Sequence, residues 1–173
     1  MKKISLLLIC ILSAMAVTSS NLIKGTVITL ADGTEVSIEE VRVDDTLLTM
    51  DVKTNSILVS RVIKKEQSTQ GGLKKVVLAD GSELTLSTTQ TLWSDKGWVA
   101  LDQEEASKLP KYAKEKVLGY HVDAFIYTIG VDFNISVLPI IEIEDLGSEA
   151  ETYGLVLDNE NATFIANGFF VGQ

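Results

Sequence analysis

A nine-residue stretch occurs twice in this chain, and that duplication limits the architectures open to it. Leu30-Ala31-Asp32-Gly33-Thr34-Glu35-Val36-Ser37-Ile38 returns 48 residues later as Leu78-Ala79-Asp80-Gly81-Ser82-Glu83-Leu84-Thr85-Leu86, with five identities and four conservative exchanges. Each copy sets Asp-Gly between apolar runs. Glycine accepts a positive φ without a Cβ clash, so both copies predict a β-hairpin with the same turn. A stacked repeat array needs about three or more copies to bury a continuous core. Two copies instead predict two similar halves about a pseudo-two-fold axis. Independent convergence of two hairpins is the competing explanation, and five identities in nine weigh against it.

The rest of the chain reads as further short strands. Runs rich in Val, Ile, Thr and aromatics fall at residues 46–50, 57–63, 76–78, 84–86, 98–101, 117–119, 125–129, 140–143, 155–157 and 164–171. These residue types suit a pleated, half-buried surface. One helix is expected over residues 102–108, acidic at its start, with Lys108 at its end and Pro110 beyond. Residues 39–41 could add one helical turn. With 46% apolar residues the chain can build a packed core, and an all-β barrel-like or sandwich domain over residues 21–173 is predicted.

The first twenty residues are of another kind. Lys2 and Lys3 precede an apolar run over residues 4–17, and Ala14-Met15-Ala16 offers a small-x-small cleavage pattern. This order predicts a secretory signal peptide, and hence an extracellular, secreted protein. The alternatives are a short anchor or a buried strand, but a comfortable membrane span needs about 20 residues. No stable membrane insertion is expected once the signal is removed. Cleavage is expected after Ala16 or among Thr18, Ser19 and Ser20. Cys10, the one cysteine, would leave with the signal.

Charge and ligand counts exclude several functions. The formal charge of −9 disfavours a broad phosphate-binding surface, so nucleic acid is not an expected partner. One histidine cannot form a His cluster, and the mature chain has no thiol, so neither a metal nor a cofactor is expected. Glu142, Glu144 and Asp145 read as a solvated strand face rather than a cation site. Trp93 and Trp98 flank a tight turn, where hairpin packing is the commoner role and sugar stacking the rarer one. No feature of the sequence identifies a protein partner.

Several blocks resemble a known family. Asn21-Leu22-Ile23-Lys24-Gly25-Thr26-Val27 followed by Asp32-Gly33, then residues 38–51, residues 84–93 with Trp98-Val99, and finally residues 153–157 and 164–171, are similar in order and spacing to Hint domains. This module is shared by inteins and the hedgehog autoprocessing domain. The resemblance implies a flattened β-barrel with pseudo-two-fold symmetry, in agreement with the repeated hairpin. It also implies a chemistry. The first residue, Cys or Ser, attacks the carbonyl just before it, turning an amide into a thioester or ester. A Thr and a His of a middle block polarise and protonate that bond. In inteins a final Asn, after a His, cyclises to cut the other end.

Matched residue by residue, that set is changed. The nucleophile position falls on Asn21, the Thr on Ser87, the His on Gln90, and the terminal pair on Gly172 and Gln173. A carboxamide has no hydroxyl or thiol to acylate, and Gln is no proton shuttle near neutral pH. Ser20 is a displaced candidate nucleophile, Thr88 or Thr89 could replace Ser87, and His121 is the one imidazole available. Histidine there is more simply a loop or strand residue, and it matters only if it packs against Asn21 and Ser87. With a signal upstream and no residue after Gln173, splicing is not expected. The sequence therefore predicts a secreted Hint-like domain, catalytically inactive and acting as a structural or binding module. The alternative is active self-cleavage by an N–O acyl shift at Ser20.

Overall fold

A computed structural model describes residues 21–173. The expected signal segment and Ser20 lie outside the described residues. Fifteen strands follow among those described: β1 (Leu22–Ile23), β2 (Val27–Thr29), β3 (Glu35–Ser37), β4 (Thr46–Asp51), β5 (Ser56–Gln70), β6 (Lys74–Leu78), β7 (Glu83–Leu86), β8 (Leu92–Ser94), β9 (Gly97–Ala100), β10 (Leu118–Gly119), β11 (Phe125–Ile129), β12 (Ile135–Asp145), β13 (Ala150–Leu157), β14 (Ala162–Ala166) and β15 (Phe169–Val171). Between β9 and β10 lie one helix, α1 (Gln103–Lys108), and a 3-10 turn, Pro110–Tyr112. The strands form one continuous sheet in the order β10-β9-β8-β15-β11-β12-β6-β7-β1-β13-β5-β4-β14-β2-β3, and extra β8–β11 and β14–β15 pairings curl it on itself. All pairings are antiparallel except β9–β10.

The duplicated segments adopt the same hairpin down to individual bonds. Leu30 N–H donates to Thr34 O at 2.8 Å, and Leu78 N–H to Ser82 O at 2.9 Å. An aspartate Oδ1 accepts the backbone N–H two residues on in each turn, Asp32 from Thr34 and Asp80 from Ser82, both at 2.9 Å. Gly33 and Gly81 sit at φ +84° and +86°, which a Cβ would oppose. Asn167 ties the two hairpins together. Its Oδ1 accepts from Val27 N at 2.8 Å beside β2, and its Nδ2 donates to Glu83 O at 2.9 Å in β7. It also holds φ +48° in the turn between β14 and β15, a conformation that Asn tolerates better than most residues. Asn167→Ala is expected to lower unfolding stability by about 2 kcal/mol, from two lost hydrogen bonds and the left-handed backbone. Asn167→Gly keeps the backbone freedom and isolates the bonds. Urea unfolding of both variants checks this.

Two long strands join the halves. The start of β5 pairs with β4 and its end with β13. β12 passes in the same way from β11 to β6. Both carry a register shift near the handover, at Val156/Leu157 opposite β5 and at Ile140/Glu142 in β12. A bulge of this kind bends a strand and lets it leave one sheet for another. The sequence reading made both strands too short: the polar stretch 64–70 carries no burial signal, and the apolar Ile135, Val137 and Leu138 were passed over. Their pairing partners hold them extended. The expected strand 164–171 is two strands, divided at Asn167-Gly168.

The core is built from the predicted runs. Leu22, Ile28, Leu47, Leu78, Leu84, Leu86, Phe164 and Phe169 are fully buried together. Asp102 caps α1 by accepting from Glu105 N–H at 3.0 Å, and Leu109 is extended before Pro110, as a residue preceding proline prefers. Residues 38–40 form a turn rather than helix. Trp93 and Trp98 face each other across β8–β9 with ring centroids 5.0 Å apart, edge to face. Lys65 donates to the carbonyls of Glu39 and Val41 at 2.5 and 2.9 Å. Glu144 pairs with Lys75 at 2.5 Å on the solvated β12 face. Among the described residues, no helix is long and apolar enough to cross a membrane.

Candidate functional site

The start of the described chain is drawn into the barrel by β1. Leu22 pairs with Leu86 on one side and Tyr153 on the other, which leaves Asn21 buried at the end of both ladders. Asn21 N–H donates to Ser87 Oγ at 3.2 Å, and Ser87 N–H donates to Asn21 O at 2.9 Å. The Asn21 side chain turns to the β5–β13 ladder, where Nδ2 donates to Ser68 Oγ at 3.0 Å. Ser68 Oγ in turn shares a hydrogen bond with Thr152 Oγ1 at 3.0 Å. Asn21 Oδ1 is buried with no hydrogen-bond partner among the described residues. Ser87 Oγ also meets Thr89 Oγ1 at 3.3 Å.

The far end of the chain arrives at the same turn. Ser87 to Gln90 is closed by Gln90 N–H donating to Ser87 O at 3.0 Å. The buried Gln90 side chain donates from Nε2 to Gly172 O at 2.7 Å and to Thr91 O at 3.1 Å. Gly172 N–H donates to Thr91 O at 2.9 Å. One short turn therefore holds both ends, Asn21 through Ser87 and Gly172 through Gln90. Gln173 is fixed separately: its Oε1 accepts from Leu157 N at 2.6 Å and its Nε2 donates to Asn159 O at 2.7 Å.

A hydroxyl pair closes the space beside Gly172. Tyr112, from the 3-10 turn, and Thr91 share a 2.5 Å hydrogen bond, and both are buried. Tyr112 OH also donates to Gln173 O at 3.5 Å. Burial pushes the Tyr112 hydroxyl well above the ordinary phenol range, so it stays protonated. A Cβ built on Gly172 would overlap both hydroxyls outright. No side chain fits at this position while Tyr112 and Thr91 stand as they do.

The structure thus brings together Asn21, Ser87, Gln90 and Gly172 around one turn, with Gln173 beside it held by Leu157 and Asn159. It does not bring His121 there. His121 lies exposed in the turn between β10 and β11, and its side chain makes no hydrogen bond to any of these five. Sequence reasoning missed Ser68, Thr152, Thr91 and Tyr112. The first two carry no local signal, because they meet the site through a β5–β13 register that only folding sets. The side chains joined here by hydrogen bonds are amides and hydroxyls, so the arrangement can orient and hold backbone, and none of them exchanges a proton readily near pH 7. Among the described residues no group of three or more His, Cys, Asp or Glu side chains could hold a metal ion.

No protein-family model matches this sequence, and no curated protein matches it closely. Solved structures do match. An Ssp DnaB mini-intein variant superposes with a TM-score of 0.72 at 17% identity, over 89% of this chain and 94% of that one. A DnaB intein from Synechocystis sp. gives 0.70 at 19% identity, over 88% and 98%. A bacterial intein-like domain from Clostridium thermocellum gives 0.64 at 17% identity, over 88% and 97%. At these identities the likeness establishes the fold: the chain has the Hint fold.

Proposed function

We propose that this chain is a secreted Hint-fold module whose self-processing centre has become a hydrogen-bonded clasp, so that it is catalytically inactive and serves as a structural or binding module. The supporting observation is the pairing of Gln90 with Gly172. The position that would carry the family's proton-shuttling His is a carboxamide spent on a backbone carbonyl, and the position of its terminal His has no room for a side chain. At the other end, Asn21 offers an amide nitrogen whose lone pair is delocalised and which donates one hydrogen bond to Ser68. It cannot accept the acyl group of the preceding residue. Ser87 keeps the geometry of the middle-block hydroxyl by holding the Asn21 N–H. The basic-then-apolar start of the sequence supports export, with removal of the first 16–20 residues.

The test is a fusion. A carrier protein is joined upstream of Ser19, and the purified fusion is treated with hydroxylamine or a thiol at neutral pH. The expected result is an intact fusion over days. Release of the carrier that disappears in Ser20→Ala would overturn the proposal in favour of self-cleavage at Ser20. Mass measurement of the protein exported by a secreting host checks the processing site separately.

A further inference from the structure

The first half of β5 has a strand neighbour on one side only. Residues 56–61 pair with β4, and the pairing with β13 on the other side starts at Val62. Arg61 meets a single residue there: its N–H donates to Asp158 Oδ1 at 2.9 Å, and its carbonyl accepts from Asp158 N–H at 2.9 Å. Val62 bonds in the opposite direction, to Asp44 and Asp45 just before β4. Backbone groups alternate in this way along an antiparallel ladder, so Ile57 and Val59 face the same side as Arg61, away from β4. Among the described residues no strand meets their N–H and C=O groups on that side. Their side chains are exposed as well, at 44% and 52%.

An open edge of this kind recruits another strand. Charge, proline or a bulge commonly blunts such an edge, and the run Ser56-Ile57-Leu58-Val59-Ser60 carries no charge and no proline. The start of β12 also exposes Ile135 and Val137, but Pro139 stands two residues on and has no N–H to give.

The free run of β5 is close to a palindrome about Leu58. Ser56 mirrors Ser60, and Ile57 mirrors Val59. A two-fold axis at Leu58, with the strands antiparallel, sets Ile57 of one copy opposite Val59 of the other, and Leu58 opposite Leu58. Ile57 and Val59 then exchange both of their outward backbone bonds, about four in all across the axis. The lengths agree too: the turn at Asn55 ends the incoming strand where Asp158 stops the receiving edge at Arg61. No like charges face one another, and the exposed Lys53 of that turn is carried toward Asp158 of the other copy. Ile57 and Val59 stand opposite Met50 and Leu48 in the ladder, and these pack with Ile165 and Phe170, so the pairing continues an existing apolar face into the second copy.

We propose that this chain forms a two-fold dimer through antiparallel pairing of residues 56–60 with the same residues of a second copy. The contact is one strand edge wide, so the dimer is reversible. None of Asn21, Ser87, Gln90 and Gly172 takes part, so its failure would leave the clasp untouched. Sedimentation equilibrium of the purified chain is expected to show the mass rising from one copy to two between about 1 μM and about 1 mM. Val59→Pro removes an outward N–H that β4 does not use, and it should weaken association at least about 10-fold. Val59→Lys leaves the backbone free to stay extended and should do the same. Circular dichroism establishes that both variants fold. Val137→Lys, on the β12 edge, should leave association unchanged. The register is read by mild oxidation in a Cys10→Ser background. Leu58→Cys would face its own copy within the Cα separation of about 4.4–6.8 Å that a disulfide spans. Ser56→Cys would lie about 13 Å from its copy, so Leu58→Cys should cross-link at least about 10-fold faster. A chain that stays monomeric at about 1 mM, association that survives Val59→Lys or is lost with Val137→Lys, or equal cross-linking at the two positions overturns the proposal.

Discussion

A carrier fused upstream of the N21C/Q90H double variant is expected to be released by thiol at neutral pH, while the parent fusion stays whole. Asn21 N–H is held by Ser87 Oγ at 3.2 Å and its carbonyl by Ser87 N–H at 2.9 Å. The nitrogen of the amide that would be cut is therefore held, while position 21 lacks an attacking atom and position 90 a titrating group. A thiol at position 21 supplies the first. An imidazole at position 90 supplies the second, and general acid–base catalysis is worth roughly 100-fold or more. N21C alone should therefore cleave about 100-fold more slowly than the double variant, and Q90H alone should not cleave. Circular dichroism establishes that each variant folds. A folded double variant with no thiol-dependent release would mean that the turn does not hold the junction as the hydrogen bonds suggest.

The second large effect is at the opposite end. Gly172→Ala is expected to lower stability by at least about 3 kcal/mol, because the new methyl group would overlap the hydroxyls of Tyr112 and Thr91 and those side chains are locked in a buried bond to each other. Removing both hydroxyls should relieve it. In a Thr91→Ala/Tyr112→Phe background the same substitution should cost less than about 1.5 kcal/mol, a strong coupling between residues in contact. Urea denaturation of the four proteins gives the cycle. If Gly172→Ala costs the same in both backgrounds, these hydroxyls do not close the position. The result also bears on function, since it decides whether any side chain could stand in the family's penultimate position.

Much of the fold was legible because it is local. Asp-Gly between apolar runs specifies a hairpin within nine residues, and its recurrence at residues 78–86 reported the second half of the barrel. The Asp102 cap and Pro110 bounded α1 in the same way. The ends of β5 and the start of β12 were not legible. Lys64 and Gln67 are polar and exposed and Glu66 half-buried, and they are strand because β13 lies beside them.

The site divides along the same line. Positions 21, 87, 90, 172 and 173 could be singled out from the order and spacing of motifs. What those residues do instead could not. Gln90 reaches a carbonyl 82 positions away, Asn21 a hydroxyl 47 positions away, and Tyr112 fills the space at Gly172 from 61 residues upstream of Gln173. Such contacts depend on which strands neighbour one another, and that is settled by burial of the whole core at once. Residue types and local turns therefore determined which side chains stand at these positions. Only the packed barrel decided that the same positions would be used to fasten its two ends.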